Sequence, residues 1–243
     1  QAGMVYRPVR ERSTECVVRD SEDAIANTGY EELGLLSLSS SDHSDIGCLV
    51  RSLADRHRDR GLAISLPSLR IDSFSVELAG IIQERRKTGF TFAPEAGTQR
   101  LRDVINKGVT EEDLTATAEA VFRAGWQRVK LYFMVGLPTE TLDDVAGIAD
   151  LVLKVRDIGR RVRGKRVTIS VSVATFVPKP QTPFQWVGLE DERTVREKQH
   201  LLQQRLRVRG VDLSWHDYAA SFLEATLARG DRRLSATIET AWR

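Results

Sequence analysis

Glu95 and Gly136 each close a short apolar run that stops abruptly at small and acidic residues. The first run lies in Gly89 to Glu112, GFTFAPEAGTQRLRDVINKGVTEE; the second follows one helix later in Val129 to Thr141, VKLYFMVGLPTET. Such a run fits a buried parallel strand whose C-terminal end opens into a site. A carboxylate there can accept hydrogen bonds from two ribose hydroxyls, as in dinucleotide sites. The plainer reading of Glu95 is a surface carboxylate favouring the N-terminus of the next helix. Gly136 allows a backbone to approach a ligand closely; its plainer reading is a strand-to-helix turn.

Positioning these residues takes alternating strands and helices. Helices are expected over about 14–28, 45–59, 74–85, 98–105, 111–124 and 142–160, with Ser13 and Thr110 as N-caps. Strands are expected in Leu33 to Asp45, in Leu62 to Asp72 (broken at Pro67), in GFTFAPEAGT, over 128–135 and over 167–176. Pro178, Pro180 and Pro183 then force an extended loop, since each fixes its backbone and lacks a donor. The segments 193–209, 219–228 and 234–242 look helical, with a short VDLSW run between the first two. Strands spaced by helices demand parallel pairing and crossovers. The chain reads as an α/β enzyme with ligands at the strand C-terminal rim.

The bulk composition narrows the partners. The 243 residues can bury a full core, and 41% hydrophobic with 29% charged residues are globular values. A net charge of +2 gives no strong nucleic-acid signal. No apolar run approaches the roughly 18 residues of a spanning helix, and no secretory signal is visible, so cytoplasm is the expected compartment. Cys16 and Cys48 make neither a disulfide framework nor a metal motif. His216-Asp217 invites a metal-hydrolase reading, but the other histidines, His43, His57 and His200, do not form the needed register.

Several segments together resemble the radical S-adenosylmethionine superfamily. They are FAPEAGTQRLRDVINKGVTEEDL, GLPTET, SLSSSDHSDI, LPSLRID, VPKPQTPFQW and HDYAASFLEATLARGDRR, in the family's order. The similarity is strongest to an uncharacterised subfamily with an upstream cobalamin-binding domain. It implies a partial TIM-type (β/α)6 barrel over residues 1–188, its first strand and cluster loop missing, and a helical C-terminal extension over 189–243. The defining CxxxCxxC is absent; relatives place their third cysteine just before a segment like QAGMVYRPVRERS. The expectation is therefore a fragment that begins just after the cluster motif and is inactive alone.

The implied cofactors are S-adenosylmethionine and a [4Fe–4S] cluster with its thiolate ligands upstream, because soft sulfur suits iron–sulfur centres. Cobalamin, and a partner domain carrying it, stay open. One electron cleaves S-adenosylmethionine to methionine and a 5′-deoxyadenosyl radical, or a methyl group passes through cobalamin, acting on an unknown substrate. By position, Ser39, Ser40 and Asp42 would meet the methionine ammonium; the alternative there is a helix start capped by Ser44. Glu95 would contact the ribose or amino-acid portion. Gly136 would approach the cofactor with Leu137 along adenine, and the last barrel strand, Val173 to Phe176, would offer backbone groups to adenine. Arg70 and Asp72 would face the substrate. No residue is assigned to the chemical step or to a metal. Two other readings remain: a noncatalytic (β/α) barrel contacting protein or RNA, and a metal-dependent aldolase or hydrolase.

Overall fold

The computed structural model describes residues 3, 6–37, 40–65 and 90–243. Among these residues, six parallel strands lie between helices in two sheets. Strands β1 (Glu32–Gly34) and β2 (Ala63–Ser65) pair in parallel, Leu33 opposite Ile64. The larger sheet runs β3 (Phe90–Glu95), β4 (Arg128–Val135), β5 (Thr168–Thr175) and β6 (Val211–Trp215) in sequence order, all parallel. This is the α/β class expected, with the parallel strands of a partial TIM-type barrel.

The crossovers are helices with legible ends. Helix α1 (Thr14–Thr28) starts at Ser13, whose hydroxyl accepts from the Cys16 amide, and stops at Gly29 in the left-handed region. Helix α2 (Ile46–Arg56) links the first two strands. After β3 come α3 (Gln99–Val104) and α4 (Glu111–Arg123), the latter opened by a capping box between Thr110 and Asp113. Helix α5 (Leu142–Arg163) follows β4, with the same device between Thr141 and Asp144. Helices α6 (Glu192–Leu206), α7 (Tyr218–Arg229) and α8 (Leu234–Trp242) complete the chain.

Strand alternation divides the large sheet into two faces. On β4, Val129, Leu131, Phe133 and Val135 are buried, whereas Lys130, Tyr132 and Met134 are only partly covered or exposed. The buried set joins Ile169, Val171 and Val173 of β5 and the inner sides of α4, α5 and α6 in one core. Phe90 and Trp126 meet edge to face at 4.4 Å within it. A satellite core of Val18, Leu49, Leu53 and Ile64 lies between α1, α2 and β2.

The sheet extends beyond the expected last strand. Val211–Trp215 pairs with β5 from Ile169↔Val211 to Val173↔Trp215, so β5 is an inner strand. Val195, Leu202 and Leu206 of α6 belong to the main core. A division at residue 188 thus does not fall at an edge of this sheet. Physically, VDLSW alternates apolar inward residues with polar outward ones, and five such residues suffice once β5 offers its free edge. The start of α2 also differs. Asp45 occupies the N-cap position without a side-chain cap bond, and the Ser44 amide donates to the Glu11 carboxylate at 3.2 Å.

Candidate functional site

The C-terminal ends of β3, β4 and β5 form one rim. Glu95 stands opposite Phe133 after a register shift in β3, and Gly136 directly follows β4. Both carry left-handed backbone, φ 70° at Glu95 and 85° at Gly136. Glycine adopts that region freely; for glutamate it is a strained conformation that the surroundings must impose. What imposes it is the segment after β3. Gly97 is jammed against α5, and the buried Arg102 guanidinium donates from Nε to the Val109 carbonyl at 2.9 Å and from Nη1 to the Ala96 carbonyl at 3.1 Å.

The Glu95 carboxylate lies 3.4 Å from Lys107 Nζ, its side chain 25% exposed. Burial pushes its carboxyl above the ordinary range, and Lys107 opposes that rise. A half-buried carboxylate with one long-range cation is an acceptor open to a ligand's donors. Lys107 escaped sequence reading, since nothing in INKGV marks a lysine that folds back onto β3.

On the other side of Gly97, Asp144 ties α5 to α3. Its carboxylate accepts from Thr98, from Arg100 and from the Thr141 amide at 2.8 Å, while Arg100 also reaches the Thr139 carbonyl at 2.9 Å. Burial favours the neutral acid, but these hydrogen bonds outweigh it and hold Asp144 at about 2.

Gly136 is braced from two directions. Its amide donates to Glu140 Oε2 at 2.7 Å, and that oxygen also accepts from Lys198 Nζ of α6 at 2.6 Å. Lys198 donates at the same distance to Glu190 Oε2. Burial alone would lower the Lys198 ammonium's pKa, yet the two carboxylates raise it. Leu137 is only 4% exposed and packs with Ala96 and Leu101 under α3.

The remaining expected residues fall in several places. Val173 is fully buried, and its carbonyl accepts from the His216 amide at 3.3 Å. The Phe176 amide donates to the Val135 carbonyl at 2.8 Å, and its ring meets Phe184 edge-on at 6.1 Å. Phe176 therefore stands at the rim beside Gly136. Ser40 is buried and donates to the Leu35 carbonyl at 3.0 Å; Asp42 is exposed in the same short 3-10 turn, Ser40–Asp42. Ser39, Arg70 and Asp72 lie outside the described residues.

Residues 2–152 match the model of the Radical SAM superfamily, a span that includes both Glu95 and Gly136. The chain belongs to the Radical SAM superfamily. It is 30% identical over 238 residues to the uncharacterized protein MJ0966 of Methanocaldococcus jannaschii, covering 98% of this chain. It spans 50% of that relative's length. The solved structure of Methanocaldococcus infernus Elp3, with residues 1–46 deleted, superposes with a TM-score of 0.53 at 10% identity. That match covers 89% of this chain and 60% of the other, and shows a shared fold.

Family members use S-adenosylmethionine and a [4Fe–4S] cluster, and the two groups fit this chain differently. The rim has a half-buried carboxylate at Glu95, which suits a ribose-bearing ligand, whereas the space a Cβ would take at Gly136 is filled by Glu190. Cluster ligation calls for three thiolates, and the sequence has two cysteines. Both lie within helices, Cys16 beside Asp20 and Arg19 in α1 and Cys48 exposed on α2. Residues 1–243 do not supply that ligand set. Among the described residues no three His, Cys, Asp or Glu side chains come together as a metal site. No described helix is long and apolar enough to cross a membrane.

Proposed function

We propose that this chain is the barrel portion of a radical S-adenosylmethionine enzyme and holds the adenosyl part of that cofactor across the β3–β5 rim. The reaction class is reductive cleavage of S-adenosylmethionine, driving radical chemistry or methyl or methylthio transfer on a substrate still to be identified. The cluster's three thiolates then come from residues outside 1–243, in agreement with a relative about twice as long. A cobalamin-binding partner domain belongs to the same proposal.

The observation that carries this reading is the pair of left-handed residues at adjacent strand ends, Glu95 and Gly136, inside the span matched to the family. A strained glutamate persists only where the surrounding structure holds it, and such sites cluster at ligand clamps. Glu95 accepts hydrogen bonds from ligand hydroxyls, with Lys107 giving way as it does so. The Gly136 turn, closed by Glu190 where a Cβ would lie, shapes the edge of the site, and Phe176 with Phe184 closes the apolar side. Exclusion of water from the rim is the remaining contribution of these residues.

The test is product analysis on the full-length protein. It is reconstituted anaerobically with iron and sulfide, given S-adenosylmethionine and dithionite, and assayed for 5′-deoxyadenosine by mass spectrometry, with residues 1–243 as control. Formation by the full-length protein alone supports the proposal. No product from either contradicts reductive cleavage and favours a noncatalytic barrel.

A further inference from the structure

Lys198 of α6 reaches the rim turn, 58 positions from its partner Glu140. Its side chain is 4% exposed, that of Glu140 1% and that of Glu190 23%. A buried ammonium flanked by two carboxylates is weak evidence for stability, because desolvation cancels much of the attraction. Such groups are better explained by the geometry they fix. Here the geometry is specific. Glu140 Oε2 accepts from both Lys198 and the Gly136 amide, so the ammonium holds the carboxylate that holds the turn.

Glu190 brings a second segment to the same point. A Cβ on Gly136 would lie 3.1 Å from Glu190 Oε2, so the turn and Glu190 are already in contact. Glu190 ends a strap, residues 177–190, that leaves β5 and is tied down along its length. Phe184 stands on Phe176, Arg229 donates to the Gln185 carbonyl at 2.9 Å, Lys179 pairs with Glu224, and the Tyr218 hydroxyl donates to the Glu190 carbonyl at 2.7 Å.

We infer that Lys198 is a positioning residue of the rim: by bridging Glu140 and Glu190 it locks the Gly136 turn against the end of the 177–190 strap, fixing the edge across which a ligand lies. The lock itself is independent of which ligand binds; only its consequence for S-adenosylmethionine rests on the function proposed above.

Hydrogen–deuterium exchange over residues 134–141 tests the lock directly, in the unmodified chain, Lys198→Met and Lys198→Arg. The charged groups at the lock are Glu140, Glu190 and Lys198, with the Tyr218 hydroxyl on the Glu190 carbonyl. With Lys198→Met the Glu140 carboxylate loses its cation, and burial then favours its neutral form, a poorer acceptor for the Gly136 amide. At about pH 7.5, Lys198→Met loses protection of the Gly136 amide by at least about tenfold, as expected for a hydrogen bond to a charged acceptor. Amides of Leu131 and Val171 in the core keep theirs. Lys198→Arg, which keeps the cation, keeps most of the protection. Unchanged exchange in Lys198→Met overturns the inference. So does a loss spread evenly over β4 and β5, which marks Lys198 as a stability residue only. Titration with S-adenosylmethionine separates the two proposals. Weaker binding by Lys198→Met supports both, whereas no binding by the unmodified full-length protein counts against the cofactor reading and leaves the exchange result standing.

Discussion

Gly97 and Gly147 touch backbone to backbone: a Cβ on Gly97 would lie 2.6 Å from the Gly147 carbonyl carbon, and one on Gly147 would lie 3.2 Å from that of Gly97. This contact sets the distance between the end of β3 and helix α5, and so between Glu95 and the turn at Gly136. Neither backbone has a flexible end that could yield. Gly97→Ala is therefore expected to destabilise the protein by about 1–3 kcal/mol, as overpacking does. Gly188→Ala, which meets open space, should stay within about 0.5 kcal/mol. Chemical denaturation of both variants checks the pair; equal stabilities would show that the rim does not depend on this approach.

Asp144 makes acid sensitivity local. Its folded value of about 2 lies below the ordinary 3.8, so its stabilisation is fully present above pH 3.8 and fades as pH falls through 2. The difference corresponds to about 2 kcal/mol. Asp144→Asn is expected to lose roughly that amount at neutral pH and to show a shallower fall in stability between pH 4 and 2. Urea unfolding across that window provides the measurement. A parallel decline in both proteins would refute the assignment to this carboxylate.

Glu95 should trade stability against binding. Glu95→Gly relieves a left-handed glutamate, worth on the order of 1 kcal/mol, and removes a buried carboxylate. The variant is expected to melt at a higher temperature than the unmodified chain while binding S-adenosylmethionine at least about tenfold more weakly, the charge-assisted bonds being gone. Calorimetry reads both effects. A variant that is less stable, or that binds equally well, removes Glu95 from the site.

A protein ended at residue 188 should not fold. It would lose Val195, Leu202 and Leu206, all buried in the main core, each contributing about 1.5–3 kcal/mol. It would also bare the β5 edge now paired with β6. Circular dichroism and sedimentation should show loss of the cooperative transition and association. A cooperatively folded 1–188 would mean that the last 55 residues, 189–243, are a separable extension.

How much of this was legible in the sequence depends on whether the signal was local. Glu95 and Gly136 were visible because an apolar strand ends on each, and Ser13 and Thr110 because a cap needs only its own turn. Val211–Trp215 was not read as a strand, since five residues of alternating pattern are too few to recognise without the edge they pair with. Lys198 was invisible for a different reason. In a polar helix that includes REKQH, one buried lysine is told from its solvated neighbours only by Glu140 and Glu190, which approach it in space. Leu137 looked like a ligand contact because it follows the glycine, whereas its neighbours across the rim, Ala96 and Leu101, cover it.

The most direct test of the central claim is to map S-adenosylmethionine onto the chain by amide chemical-shift perturbation. Shifts are expected to concentrate at Glu95 to Gly97, at Gly136 and at Thr175 to Phe176, and to diminish with Glu95→Gly. Perturbations centred on α7 and α8, or none at millimolar cofactor, would contradict that claim.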